Sequence, residues 1–178
     1  MPYLFKTPRL GFRRWREPDY EPFVRLNAHA KVMEFFPNTL SGSESDAMIE
    51  RIEAHIEQHS FGFWAVDWLE KQQFIGFIGL STPRFQASFT PCVEIGWRLS
   101  ADCWGQGLAT EGAQACLEYG FNKLNLQEIV SFTPTVNHRS MRVMQKIGMQ
   151  HIGNFQHPLL PDNHWLSEHV LYKTQKIL

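Results

Sequence analysis

The spacing of apolar positions changes along the chain, and each change predicts an element. Residues 9–15 read as a first strand, and Pro18-Asp19 opens a short helix to about Ala30, with Pro22 tolerable in its first turn. Ser41-Gly-Ser-Glu44 has capping-box spacing and starts a second helix to about His59. Ile49, Ile52 and Ile56 form its apolar stripe. Three strand-like runs follow at 61–69, 74–81 and 91–100, the first two joined by Glu70-Lys71-Gln72 as a hairpin turn. In the third run Val93, Ile95, Trp97 and Leu99 alternate with Glu94, Gly96 and Arg98, so the two sets face opposite sides of a sheet.

Further on, Ala109, Gly112, Ala113, Cys116, Leu117, Gly120, Phe121 and Leu124 recur at helical spacing and predict a long helix ending near Leu124. Residues 128–133 read as a strand. Asn137 is a good N-cap for a helix whose stripe is Ser140, Val143, Met144 and Ile147, with Gly148 at its C′ position. Closing strands are predicted near 150–155 and 164–173. The step from Ile95 through the long helix to Val130 is by default a right-handed parallel crossover, and the other strands are expected to pair antiparallel. The fold class is mixed α/β: a mostly antiparallel twisted sheet with one parallel β-α-β crossover and helices on both faces. No repeat, low-complexity tract or linker interrupts the chain, which predicts one domain over residues 1–178.

Composition narrows the function classes. A chain of 178 residues is expected to bury roughly 70% of its unfolded surface, so its core needs neither disulfide nor metal. Lys plus Arg is 17 against 18 Asp plus Glu, a net charge of −1, which argues against a nucleic-acid-binding domain. One small anion held by backbone N–H groups stays compatible with that balance. Cys92, Cys103 and Cys116 are odd in number with no C-x-x-C pair, which suggests neither a disulfide framework nor a zinc site. The eight histidines lack metal-ligand spacing, and no metal is expected. The first residues lack signal-peptide features, and no apolar run approaches the roughly 20 residues that span a bilayer. A soluble cytoplasmic protein without a membrane partner is expected.

The sharpest chemical feature is Trp104-Gly105-Gln106-Gly107-Leu108-Ala109 at the start of the long helix. Glycines allow close backbone approach, and a helix N-terminus offers unpaired N–H groups at the positive end of its dipole. A P-loop would need Gly-Lys-Ser/Thr, which is missing. A dinucleotide fingerprint would need a third glycine where Thr110 stands, directly behind a strand. A pyrophosphate cradle and a glycine turn that merely starts a helix both remain open on these residues alone.

Gly105-Gln-Gly-Leu-Ala109 behind Glu94-Ile-Gly-Trp-Arg-Leu99 resembles the acetyl-CoA site of the GNAT superfamily of N-acyltransferases. Trp104 departs from the family's usual Arg/Gln there, as in the branch of ribosomal-protein N-terminal acetyltransferases (the Rim type). Thr7-Pro-Arg9-Leu10-Gly-Phe-Arg13, Phe74-Ile-Gly76-Phe-Ile-Gly79-Leu80, Asn137-His-Arg139-Ser140 with Lys146-Ile-Gly148, and Glu168-His169-Val-Leu-Tyr172 resemble further segments of that branch in order.

The resemblance implies a GNAT fold and direct transfer of acetyl from acetyl-CoA to a primary amine in a ternary complex. It implies that Gly105, Gln106, Gly107, Leu108, Ala109 and Thr110 hold the pyrophosphate, with Trp104 at the mouth. Backbone of Trp97, Arg98 and Leu99 would pair with the pantetheine arm, and Asn137 would bond its amides unless it serves only as a helix cap. Met144 stands where many relatives carry a tyrosine acid, leaving Ser140 to hydrogen-bond the leaving thiolate or simply to pack against its helix. Glu94 is the candidate base, directly or through water, against the alternative of a solvent-facing strand residue. An α-amine of reference pKa about 8 asks less of such a base than a lysine at about 10.4. The expected acceptor is a protein N-terminus, such as that of a ribosomal protein; polyamine or antibiotic acetylation and a non-catalytic CoA-binding module are the alternatives. Residues 35–38 and 157–164 are expected to bound the acceptor cleft, and the exposed sheet edge is compatible with a monomer or a homodimer.

Overall fold

The computed structural model of the chain describes residues 2–176. A hairpin of β1 (Phe5–Lys6) and β2 (Leu10–Arg13) leads through a 3-10 turn at Glu17–Asp19 into α1 (Tyr20–Ala28) and α2 (Gly42–His59). Strands β3 (Phe63–Trp68), β4 (Gln73–Ser81) and β5 (Glu94–Leu99) form an antiparallel meander. Then come α3 (Leu108–Asn122), β6 (Glu128–Pro134), α4 (His138–Lys146), β7 (Gln150–Gln156) and β8 (Glu168–Gln175). All lie in one sheet of order β1-β2-β3-β4-β5-β6-β8-β7, in which β5 and β6 are the parallel pair. The mixed fold class expected from the pattern is the one observed.

Local chemistry explains the helix ends. The Ser41 hydroxyl accepts from the Glu44 amide at 3.3 Å while the Glu44 carboxylate accepts from the Ser41 amide at 2.7 Å, closing the capping box. Helix α3 buries Leu108, Gly112, Ala113, Cys116, Leu117 and Gly120 against the sheet. A Cβ on Gly112 would lie 2.3 Å from Ile78 Cδ1 and 3.1 Å from Leu10 Cδ1, so a larger residue would have to push these side-chain ends aside. Arg98, on the other side of β5, reaches Asn27 of α1, so α1 and α2 cover the face opposite α3.

Several strand limits differ from the pattern, three of them by enough to matter for the site. The first strand stops at Arg13 because the chain turns there toward the 3-10 segment, and Trp15 instead donates its indole N–H to the Phe63 carbonyl at 2.9 Å. The third run joins the sheet only from Glu94. The last strand starts at Glu168, since residues 164–167 form a turn in which the Ser167 amide bonds the His164 carbonyl. The β1 strand has too short an apolar pattern to be read.

The turn at Arg13 rests on a buried charge cluster. Its guanidinium donates to both Asp19 oxygens at 2.6 and 2.8 Å and to both Asp67 oxygens at 2.6 Å. The three residues are 3%, 3% and 5% exposed, so two carboxylates face one fully desolvated cation. Arg16 supplies a second cation to Asp67 at 3.2 Å. Removing one partner of such a buried pair leaves an uncompensated charge, at a cost of about 3–5 kcal/mol. Arg13→Gln, which leaves both buried carboxylates without this cation, is therefore expected to lower the urea unfolding free energy by about that amount; a loss under ~1 kcal/mol would mean the cluster is not coupled to folding.

Candidate active site

The parallel pair opens almost as soon as it forms. Glu94↔Val130 is the registered β5–β6 partnership, with the Val130 amide donating to the Val93 carbonyl at 2.9 Å. One step further the Ile95 carbonyl accepts from the Ser131 hydroxyl at 2.9 Å, and no later pair of β5 and β6 residues is in register. At the far end the Leu99 carbonyl accepts from the Trp104 indole N–H at 3.0 Å. The alternation of a strand thus turns the main chain of Ile95, Trp97 and Leu99 toward β6 and that of Gly96 and Arg98 toward β4. The Arg98 carbonyl indeed abuts Gly76 of β4. Of the three residues expected to pair with a pantetheine arm, Trp97 and Leu99 present backbone to the opening, and Arg98 does not.

Because β5 and β6 run parallel, the helices that follow them both start at the open end. Gly105 and Gly107 each have φ +77°, a left-handed conformation that glycine adopts without strain. A Cβ at Gly105 would meet nothing within 4 Å, and residues 105–107 are exposed. Gly107 is the N-cap of α3 and offers no side-chain cap, leaving the first-turn amides of Leu108, Ala109 and Thr110 as free donors at the positive helix end. This cradle fits a pyrophosphate.

The cradle is braced from the N-terminal hairpin. Arg9 donates to the Gln106 carbonyl at 2.8 Å and to Glu111 at 2.6 Å, and the Thr7 hydroxyl donates to Glu111 at 2.5 Å. Burial pushes the Glu111 carboxyl up, but these donors outweigh it and hold the group below its ordinary range. Neither Arg9 nor Glu111 emerges as a site residue from spacing; an acid in the first turn behind a glycine loop is the signal they carry. At the mouth, the Arg139 guanidinium lies 4.3 Å and the Lys31 ammonium 5.6 Å from the Trp104 ring centroid.

At the start of α4, Asn137 is a helix cap, its Oδ1 accepting from the Ser140 amide at 3.2 Å. Its Nδ2 donates to Thr133 Oγ1 at 2.9 Å and Ser140 Oγ at 3.1 Å. Both amide hydrogens are used, so only a lone pair on Oδ1 is left for a ligand. Ser140 is half-buried, and because its oxygen accepts from Asn137 its own hydroxyl hydrogen is free to donate. Met144, one turn on, is 1% exposed and fills its position as packing.

Glu94 sits where the opening closes. It is half-buried and makes no hydrogen bond to another described side chain, and burial pushes its carboxyl up to about 8. It shares the α1–α2 face of β5 with Arg98. The two segments expected to bound the cleft sit at two places along the sheet: Phe36 lies over Arg98 of β5, and His157 joins Phe85, Phe132 and Phe155 at β6 and β7. Cys103 and Cys116 are buried thiols whose pKa burial raises, unlike activated nucleophiles. Among the described residues no group of three or more His, Cys, Asp or Glu side chains is placed to hold a metal ion.

Residues 9–150 match the Acetyltransferase (GNAT) domain family. The chain belongs to the GNAT acetyltransferase family. It is similar to the uncharacterized N-acetyltransferase YnaD of Bacillus subtilis, at 42% identity over 92% of each chain. Its fold matches spermidine N-acetyltransferase from Vibrio cholerae, solved with CoA and spermine, at TM-score 0.75 and 18% identity over 95% of this chain and 96% of that one. It also matches ribosomal-protein-S5-alanine acetyltransferase from Vibrio fischeri, at TM-score 0.70 and 15% identity over 96% and 95%. As a GNAT enzyme it is an acetyl-CoA-dependent N-acetyltransferase.

The Glu94 environment has a thermodynamic signature. Below the unfolded pKa of about 4.3 both states hold the proton; above it the unfolded chain ionises first, while the folded carboxyl stays protonated up to about 8. Wild-type stability is therefore lost as pH rises through this window, and a Glu94→Gln variant escapes the loss. The melting temperature of the variant minus that of wild type is expected to grow from pH 5 to pH 8; a difference independent of pH would contradict a desolvated carboxyl.

Proposed function

We propose that this single-domain GNAT enzyme acetylates the free N-terminal α-amine of a protein or peptide, such as a ribosomal protein, in the cytoplasm. The observation that carries the reading is the opening between β5 and β6, with a pyrophosphate cradle at its mouth and a raised carboxyl at its closed end. From Leu99 back to Glu94 the strand covers about 17 Å, a length suited to an extended pantetheine arm.

Acetyl-CoA supplies an acetyl thioester. Backbone amides of Gly105 to Thr110 hold its pyrophosphate, Trp104 borders the mouth, and Asn137 Oδ1 accepts from a pantetheine amide. The Trp97 amide, turned to the opening, donates to the oxygen on which charge develops; one such donor is worth about 2.7–4 kcal/mol. Glu94 takes a proton from the acceptor ammonium, directly or through water, so that the nitrogen lone pair attacks. The Ser140 hydroxyl hydrogen-bonds the departing thiolate, which takes the second proton of the attacking nitrogen as the adduct collapses to amide and CoA thiol. Glu94 lies on the α1–α2 face and α4 packs on the α3 side, so the proton is taken and the thiolate met on opposite sides of the sheet. A base near pH 8 is matched to an α-amine, whose own pKa is about 8, better than to a lysine at about 10.4.

The test is acetyl-CoA-dependent thiol release with peptides bearing free N-terminal Ser or Ala. Controls are the same peptides N-blocked but containing lysine, together with spermidine and an aminoglycoside. Turnover confined to free N-termini is expected; turnover confined to a small amine would discard the protein substrate. Glu94→Gln should lower kcat/KM by about 10²–10⁴ and Ser140→Ala by roughly 10–100-fold, with acetyl-CoA affinity kept. Gly107→Trp should abolish acetyl-CoA binding, and unchanged affinity would contradict the cradle. No turnover on any amine, with CoA still bound, would favour a binding module.

A further inference from the structure

Arg98 is 8% exposed, yet no carboxylate of the described residues forms an ion pair with it. Its Nη1 donates to Asn27 Oδ1 at 2.7 Å and touches Met48 Sδ at 3.7 Å. The guanidinium carbon lies over two phenyl rings, 4.2 Å from the Phe36 centroid and 5.4 Å from that of Phe77. Its Nε is buried without a hydrogen-bond partner, and Nη2 bonds none of the described residues. One corner of the fork is thus occupied, while Nε and Nη2 along the other edge have no hydrogen-bond partner among the described residues. That edge carries two parallel N–H donors, the geometry that takes a carboxylate bidentately.

The contrast with Arg13 is informative. Arg13 is equally buried in the same domain and has two carboxylates on its fork. A buried guanidinium with an empty edge is costly unless an anion arrives to fill it. Its position also fits a ligand. Arg98 and Glu94 lie on the same face of β5, four residues apart, about 13 Å between their Cα atoms. Phe36, which covers the guanidinium, belongs to the α1–α2 connection and is 39% exposed, so this cover is at the surface. One strand face therefore offers a proton acceptor at one end and a cation at the other.

We propose that the acceptor is a carboxylate-bearing amine, and that Arg98 determines this specificity by taking the carboxylate on its Nε–Nη2 edge. The inference rests on the reading of the β5 face as the acceptor side of the acetyltransferase. It deepens that reading by assigning the acceptor a charge: an amino acid, a short peptide with a free C-terminus, or an N-terminus followed by an acidic residue, each being the same amine-plus-carboxylate chemistry. A polyamine, with cations at both ends, would bring like charge to Arg98.

The experiment uses matched pairs that differ only in the anion. Peptide pairs are Gly-Gly-Gly against its C-terminal amide and Ala-Asp-Ala-amide against Ala-Asn-Ala-amide; the non-peptide pair is 6-aminohexanoate against its amide. With wild-type enzyme and acetyl-CoA, the acid member is expected to exceed its partner in kcat/KM by about 30-fold or more, chiefly through KM. Arg98→Leu should erase the difference, and Arg98→Lys, which keeps charge without the fork, should restore part of it. Acetyl-CoA affinity and melting temperature report whether each variant is folded, and the wild-type comparison needs no variant. Equal rates for acid and amide, or a preference that survives Arg98→Leu, would overturn the proposal. If the non-peptide pair alone is turned over, the N-terminal reading fails while the carboxylate preference is still read from that pair.

Discussion

A parallel strand pair normally continues its ladder along its length, and here it does not. The β5–β6 register holds at Glu94 and Val130 and goes no further, with the Ser131 hydroxyl bonded to the Ile95 carbonyl one residue later. Everything functional depends on that divergence. It leaves the Trp97 N–H and carbonyl unpaired in the middle of the sheet, where burial without a partner would be costly. It also sends β5 and β6 to separate endpoints, so that the N-termini of α3 and α4 flank one opening. The arrangement is held open from outside: the Arg9–Glu111 pair fixes the glycine loop, and the Trp104 indole occupies the last β5 carbonyl.

The two faces of β5 do different work. Its apolar side, with Ile95 and Leu99, is buried in the core shared with α3. Its other side carries Glu94, half-buried, and Arg98, buried, and neither has an opposite charge paired with it among the described residues. Burial moves both toward neutrality, the carboxyl up to about 8 and the guanidinium down to about 10. Elsewhere the same chain satisfies its buried charges fully, as at Arg13, Asp19 and Asp67. The imbalance lies on the strand face that borders the opening, and the roles proposed for both groups rest on it.

Much of this was legible in the sequence, and the limits follow from range. The Ser41–Glu44 box and the Asn137 cap involve partners three residues apart, and both formed as their spacing indicates. Alternation in residues 93–99 correctly placed Glu94 and Arg98 on one face. The helical stripe from Ala109 carried the crossover. What stayed hidden joins distant segments: Thr7 and Arg9 with Glu111, Arg13 with Asp67, and Arg98 with Asn27. A charged residue in a strand pattern does not announce whether it finds a partner. The strand end at Arg13 shifted for a similar reason, since the tertiary bond of Trp15 overrides local propensity, whereas the start at Glu168 is set by the local turn that Ser167 closes.

The most direct test of the central claim is residue-resolved amide hydrogen exchange with and without saturating acetyl-CoA. Trp97 faces the opening, whereas the Gly96 and Arg98 amides already face β4. Acetyl-CoA should slow exchange of the Trp97 amide at least about tenfold and leave its two neighbours nearly unchanged. Protection elsewhere with Trp97 unaltered would contradict the β5–β6 opening as the seat of the cosubstrate.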